Sequence, residues 1–326
     1  MREFPTVERT PERPGPGPVP PAVLRSLDLA VLRRVENLVP GEHLTPQVGA
    51  GTELAMIRPY FPGDDVRHID WNVTARMQEP HVRVHVGERA LTTWLVLDVS
   101  ASMAFGTADR RKADVAEGVS LAVGHVATRR GNRLGVLAFG GREPRIMRPR
   151  QGRLGLLALL AELRHDPEGE GVGATSLGGA LGSAAALSRQ RGLVVIVSDF
   201  RGERDWEGPL QALRARHGVM AVEVVDPREQ QLVNAGDLWL VDPETGRQVH
   251  VDTRKRRIRD RFAAAAAAER EEIRSALRRA AADHVELSTG GDWLRIFASH
   301  LRRGEAALRA GAPARAAIAN RMRAQA

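Results

Sequence analysis

Apolar residues along this chain keep two different periods, and the switches between them predict the elements. Leu24, Leu27, Val31, Val35 and Leu38 recur at helical spacing and predict an amphipathic helix. Residues 40–53 are polar and glycine-bearing and read as a loop. The stretch from Arg58 through Pro62 and Gly63 to Asp65 reads as a turn. A short helix is expected over 66–76, and HVRVHV at 81–86 alternates as a strand does. From residue 92 the pattern becomes regular. TTWLVLDV (92–99), RLGVLAF (133–139), LVVIVSDF (193–200) and VMAVEVVD (219–226) are apolar runs of strand length, with REPRIMR (142–148) and HVEL (284–287) as shorter ones. Helices are expected between them: one with Val115, Val119, Ala122 and Val126 on one face, and others at 153–164, 177–189, 206–216 and 292–303. A long alanine-rich helix carries Ile258, Phe262, Ala265, Ile273 and Leu277. There is no internal repeat.

Buried strands alternating with helices predict an α/β fold, a doubly wound and mostly parallel sheet with helices on both faces. The order breaks once. DLWLVD-PETG-RQVHVD (237–252) reads as an inserted β-hairpin with a glycine-bearing turn. The expected organisation is a proline-rich disordered tail (1–21), an N-terminal helix and following segment packed on the core (22–90), the α/β domain (91–303) and a polar C-terminal tail (304–326).

Composition narrows the chemistry. With 326 residues, 43% of them hydrophobic, the chain can bury a sizeable core without staples. It has no cysteine, which excludes disulfides, zinc–thiolate sites, iron–sulfur clusters and thiol catalysis. No apolar run reaches the roughly 20 residues that span a bilayer. The N-terminal stretch also lacks the apolar segment of a secretory signal, so a cytoplasmic protein with no membrane span is expected. The net charge of +8 suggests nucleic acid, but the charge is uneven. Residues 254–326 carry +9, and the neighbouring 226–253 carry −4. Lys112 and Lys255 are the only lysines; every other basic residue among the 48 is arginine.

Three loops at strand ends carry oxygen. The first holds Asp98, Ser100 and Ser102, the second Thr175, and the third Asp199. Doubly wound sheets collect ligands at the carboxyl ends of their strands. Hard divalent cations take oxygen ligands, and magnesium wants six of them at about 2.0–2.1 Å. Ser100, Ser102 and Thr175 would supply direct positions. Asp98 and Asp199 would act through water or orient the hydroxyls. The spacing D-x-S-x-S begins at a strand end, where every second side chain faces the same way. So few protein charges leave the ion electron-poor and open to an anion, such as a carboxylate from another protein. Manganese and calcium are served by the same oxygens. The plainer alternative is that Ser100 and Ser102 cap the helix that follows.

The motifs carry a resemblance as well. R-x-Y-x-P-G-D-D-x-R-x-I-D-W-x-x-x-A-R from Arg58 to Arg76, then L-x-L-D-V-S-A-S-M, G-A-T-S-L, V-S-D-F and D-P-x-E, resemble the domain-of-unknown-function 58 (DUF58) family over roughly residues 40–300. That family is MoxR-associated and similar to von Willebrand factor type A domains. The resemblance implies that Asp98, Ser100, Ser102, Thr175 and Asp199 form a metal-ion-dependent adhesion site. It also implies a MoxR-type AAA+ ATPase as partner. Two departures stand out: Gly87-Glu88-Arg89-Ala90 replaces an acidic pair, and Ser176 rather than aspartate follows Thr175. The acidic and basic residues of the signature stretch suggest an ion-pair network around Trp71.

The expectation is therefore a non-enzymatic, Mg²⁺-dependent protein-interaction module. A metal-dependent phosphohydrolase using the same oxygens is the first alternative. It is weakened because Ser100 stands where a haloacid-dehalogenase-type phosphatase has its second acid. Nucleic-acid binding through the arginine-rich C-terminal helix is the second. One tyrosine in the whole chain offers little platform for base stacking. His81 and His85 share a strand face and read as ordinary surface residues.

Overall fold

Six strands assemble into one sheet in the order β10-β7-β6-β3-β4-β5. The structure is a computed structural model that describes residues 12–17, 53–86, 91–128, 132–141, 143–163, 176–242 and 246–303. The helix expected over 24–38, the stretch 87–90, the loop holding Thr175 and the tail 304–326 lie outside those residues.

The sheet strands are β3 (Thr92–Asp98), β4 (Arg133–Phe139), β5 (Arg145–Gln151), β6 (Gly192–Ser198), β7 (Gly218–Val225) and β10 (Asp283–Ser288). All neighbours pair in parallel except β5, which runs antiparallel to β4 at the edge. Counted within the sheet, the order is that of a doubly wound fold, and the winding reverses between β3 and β6. The two strands flanking that reversal are buried almost throughout, which explains why they read as continuous apolar runs.

Alternate strand residues feed two cores. Leu95, Leu97, Val195, Val197, Val222 and Val224 face one side, with α2 (Lys112–Ala127), α3 (Gly152–Leu163) and the helix α7 over 293–303. Trp94, Val96, Val194, Ile196 and Ala221 face the other, with α4 (Leu177–Leu187), α5 (Glu207–Arg216) and α6 (Arg256–Arg279). The expected α/β architecture is thus present. Edge strand β5 sits three residues later than its sequence pattern suggests, because its alternation of basic and apolar residues leaves the ends undefined.

The hairpin insertion is also present, as β8 (Asp237–Val241) paired with β9 (Gln248–Asp252). Its acidic residues answer the basic run that follows. Arg254 bonds Asp237 at 2.5 Å and Asp252 at 2.9 Å. Among the described residues no helix is long and apolar enough to cross a membrane.

Residues Gly41–Ala90 form a second compact unit. Its hairpin pairs β1 (Glu53–Pro59) with β2 (His81–Val86). β1 is not anticipated by the sequence reading, which ends a loop at 53, begins a turn at Arg58 and assigns no element to 54–57. The helix expected over 66–76 is broken. A 3-10 turn covers Val66–His68, and α1 (Trp71–Met77) starts afresh behind Asp70, whose carboxylate caps the amides of Asn72 and Val73.

The ion pairs differ in part from expectation. Arg58 holds Asp64 with two bonds of 2.7 Å, and Arg67 holds Asp65. Asp70 pairs at 2.8 Å with Arg83, which lies outside the signature stretch. Trp71 is 71% exposed, so the network does not enclose it. His81 is buried, not a surface residue; Thr74 Oγ1 accepts from its amide at 3.0 Å.

Candidate functional site

β3 delivers Asp98 and β6 delivers Ser198 and Asp199 to the same end of the sheet, on either side of the topological switch. All three are buried. Asp98 Oδ2 accepts from Ser198 Oγ at 2.6 Å, and its Oδ1 accepts from the Ser100 amide at 3.0 Å. The Ser100 and Ser102 hydroxyls lie 3.0 Å apart, and Ser102 Oγ donates to Asp199 Oδ2 at 2.9 Å. Four of the five residues singled out from sequence therefore meet. Thr175 lies outside the described residues.

The serines do not cap a helix. Ser100 precedes the 3-10 turn Ala101–Ala104 without a side-chain cap bond, and α2 begins only at Lys112. Their hydroxyls lie within hydrogen-bond distance of each other, and Ser102 Oγ donates to Asp199.

Backbone geometry shapes the third loop. Phe200 adopts a left-handed φ of 56°, an outlier for a bulky residue. It is buried and packs edge-on against Trp206. The resulting turn aims the Phe200 amide at Ser198 Oγ (3.0 Å) and the Arg201 amide at Asp199 Oδ1 (3.1 Å). Such strain persists only where packing over-determines it, and it clusters at functional sites.

Lys112 is the residue that sequence reasoning missed. It is fully buried and donates to Asp199 Oδ2 at 2.6 Å and Glu229 Oε1 at 2.7 Å. Arg201 adds a second cation to Glu229 at 3.1 Å. Burial alone would lower the Lys112 pKa. The charges of Asp199 and Glu229 outweigh it, and the net direction is upward. A cation at the first position of α2 opposes the helix dipole, so the two carboxylates are what hold it there. The only available signal in the sequence was a lysine among arginines.

The two site carboxylates are unequal. Burial, then the charge of Asp199, pushes Asp98 up to about 6. Burial also acts to raise Asp199, but the Lys112 charge and hydrogen bond reverse the direction and hold it below the usual carboxylate range. Among the described residues no group of three or more His, Asp or Glu side chains converges in the manner of a carboxylate or imidazole metal cluster. The donors here are two carboxylates and a row of hydroxyls.

A buried tie braces the neighbouring loops. Asp226, just past β7, accepts from the Thr107 amide (2.8 Å), Thr107 Oγ1 (2.7 Å), Thr289 Oγ1 (2.6 Å) and the Arg228 amide (2.8 Å). It links the loop after Ser102 to the loop after β10. Gly140, after β4, lies against Ser100 with φ 96°; a Cβ there would meet the Ser100 amide nitrogen at 2.5 Å. Gly140→Ala should therefore displace Ser100 and cost about 2 kcal/mol, from left-handed strain plus overpacking. A urea melt checks the stability, and a wild-type curve would refute the close-approach argument.

Together these features define an α/β protein with an oxygen-lined site at the switch point of a doubly wound sheet. The chain belongs to the DUF58 family ("Protein of unknown function DUF58"), whose model matches residues 56–272. It is 40% identical over 288 residues to "Uncharacterized protein Rv1480" of Mycobacterium tuberculosis (strain ATCC 25618 / H37Rv), covering 87% of this chain and 90% of that one. Among solved structures it is similar to BatB from Bacteroides thetaiotaomicron, at 12% identity and a TM-score of 0.43, over 66% of this chain and 98% of that one. It is also similar to the SpRpn10 VWA domain, at 12% identity and a TM-score of 0.34, over 63% of this chain and 92% of that one.

Proposed function

We propose that this chain is a non-enzymatic protein-interaction module, cytoplasmic in setting, whose switch-point site takes a divalent cation and, through it, a carboxylate of a partner protein. The observation that carries this reading is the spacing of the oxygens. The two ligand hydroxyls, Ser100 Oγ and Ser102 Oγ, are 3.0 Å apart, and Ser102 is oriented by its 2.9 Å bond to Asp199 Oδ2. Adjacent vertices of a magnesium octahedron lie about 2.9 Å apart, given bond lengths of about 2.0–2.1 Å. The donor set is hard oxygen throughout, as Mg²⁺, Mn²⁺ or Ca²⁺ requires.

Ser100 and Ser102 are the direct ligands in this reading, with Thr175 as a third. Asp98 and Asp199 orient them. A bound cation would supply Lewis acidity toward an incoming Asp or Glu. The chain's own residues set how much charge is left to attract that anion. Lys112 already neutralises Asp199, and among the described residues no cation pairs with Asp98. The family resemblance points to a MoxR-type AAA+ ATPase as the partner, with this chain as its adaptor in protein maturation or assembly.

Asp98→Ala and Ser100→Ala should each weaken Mg²⁺ binding at least about tenfold in calorimetric titration, with far-ultraviolet circular dichroism unchanged. Wild-type titrations in both variants would refute the site. Capture of the ATPase should be lost in EDTA, and phosphate esters should show no turnover with Mg²⁺. Sustained turnover would support the phosphohydrolase reading instead.

A further inference from the structure

The proline-rich segment Glu12–Gly17 is placed against the α/β domain, and its contacts run almost entirely through backbone. The Arg13 amide donates to the Asp109 carbonyl at 2.8 Å. The Arg110 guanidinium donates to the carbonyls of Arg13 (3.2 Å) and Gly15. Trp293 Nε1, at the start of α7, donates to the Pro16 carbonyl at 3.2 Å. Prolines 14 and 16 have no amide to satisfy, so little of this segment's hydrogen-bonding demand is left over.

The receiving surface is shaped for it. Gly118 on α2 has no side chain where a Cβ would lie 2.3 Å from the Trp293 ring and 3.1 Å from Pro16 Cβ. Its absence lets indole and proline stack against the helix. The walls are held from behind: Asp109 Oδ2 accepts from the Gly291 amide at 2.9 Å, and Asp226 ties Thr107 to Thr289. The occupant is shaped too. Gly15 and Gly17 have φ of 83° and 74°, and a Cβ on Gly17 would meet Arg110 Nη2 at 2.7 Å. A proline–glycine alternation is what fits.

We propose that the groove formed by Asp109, Arg110, Gly118 and Trp293 is a binding site for bent proline–glycine segments, with the chain's own residues 12–17 as its resident ligand. Donors aimed at carbonyls hold a chain whose φ is fixed at Pro14 and Pro16, while Gly15 and Gly17 supply the left-handed φ that the bends require. Two of the groove's residues, Asp109 and Arg110, lie on the loop between Ser102 and Lys112. The proposal does not depend on a metal at the neighbouring site.

A fluorescein-labelled peptide of residues 10–19 tests it on the full-length chain. Gly15→Val combined with Gly17→Val should empty the groove in cis without touching the core. The peptide should bind that opened chain at least about tenfold more tightly than wild type, whose tethered segment competes at high effective concentration. Adding Arg110→Met should reverse the gain, and a peptide carrying the same two valines should not bind. Exchange of the Arg13 amide should be slow in wild type and fast in the opened chain, with the thermal midpoint lowered by only about 3–5 °C through loss of the resident ligand. Equal peptide binding by wild type and opened chain, no binding by either, or indifference to Arg110→Met would overturn the proposal.

Discussion

Asp226→Ala should lower stability by about 4 kcal/mol and the thermal midpoint by on the order of 10 °C. Asp226 is fully buried and takes four donors from three segments. Alanine would leave two hydroxyls and two amides without this acceptor, and the Thr289 hydroxyl among them is fully buried. Asp226→Asn keeps the shape but loses the charge and half the acceptors, so about half the loss is expected. A loss below about 1 kcal/mol for alanine in urea melts would show that the loops are organised without this carboxylate.

The same group makes a pH prediction. Burial acts to raise its pKa, but the bonds from Thr289 and Thr107 outweigh it, so the folded value lies below the usual one. Its contribution is therefore complete above the unfolded carboxylate pKa of about 4 and is lost as pH falls through the lower folded value. The gap between wild type and Asp226→Asn should be constant near neutrality and narrow in acid.

Lys112→Met should cost about 3–5 kcal/mol, the range for breaking a buried pair by removing one partner. Methionine fills much the same volume, so the loss would be electrostatic. Among the described residues Asp199 would keep hydrogen bonds from Ser102 and the Arg201 amide, and Glu229 would keep Arg201 and the Asp226 amide. Adding Glu229→Gln removes one stranded carboxylate and should restore part of the loss. Mg²⁺ should stabilise Lys112→Met more than it stabilises wild type, because the cation replaces the missing charge. Thermal melts with and without Mg²⁺ measure both effects. An unchanged midpoint in Lys112→Met would mean that the triad contributes no stability.

The candidate site was legible to different depths. Asp98, Ser100, Ser102 and Asp199 could be read because each sits at the end of, or just beyond, a run of apolar residues long enough to be a central strand. Burial on both faces writes such strands into the sequence as uninterrupted runs. β5 and β1 have no such mark, so their limits or existence escaped notice. The roles of Lys112, Glu229 and Asp226, the last two quoted only as part of D-P-x-E, escaped for another reason. Lys112 meets Asp199 across 87 residues and Glu229 across 117. The 12–17 segment has the composition of a disordered tail, and what places it is a groove built from residues near 110, 118 and 293.

By itself, then, the sequence determined the sheet-and-helix alternation, the strand ends that carry oxygen and the oxygen-only ligand chemistry of a chain without cysteine. These depend on period, apolar run length and residue type, which are local properties. Only the tertiary structure decided that β3 and β6 lie side by side at the switch, that a buried lysine neutralises one of the two site carboxylates, and that proline–glycine residues occupy a tryptophan-lined groove. Charges and carbonyls find partners through strand order and loop closure, and neither is encoded in the spacing of residues along the chain.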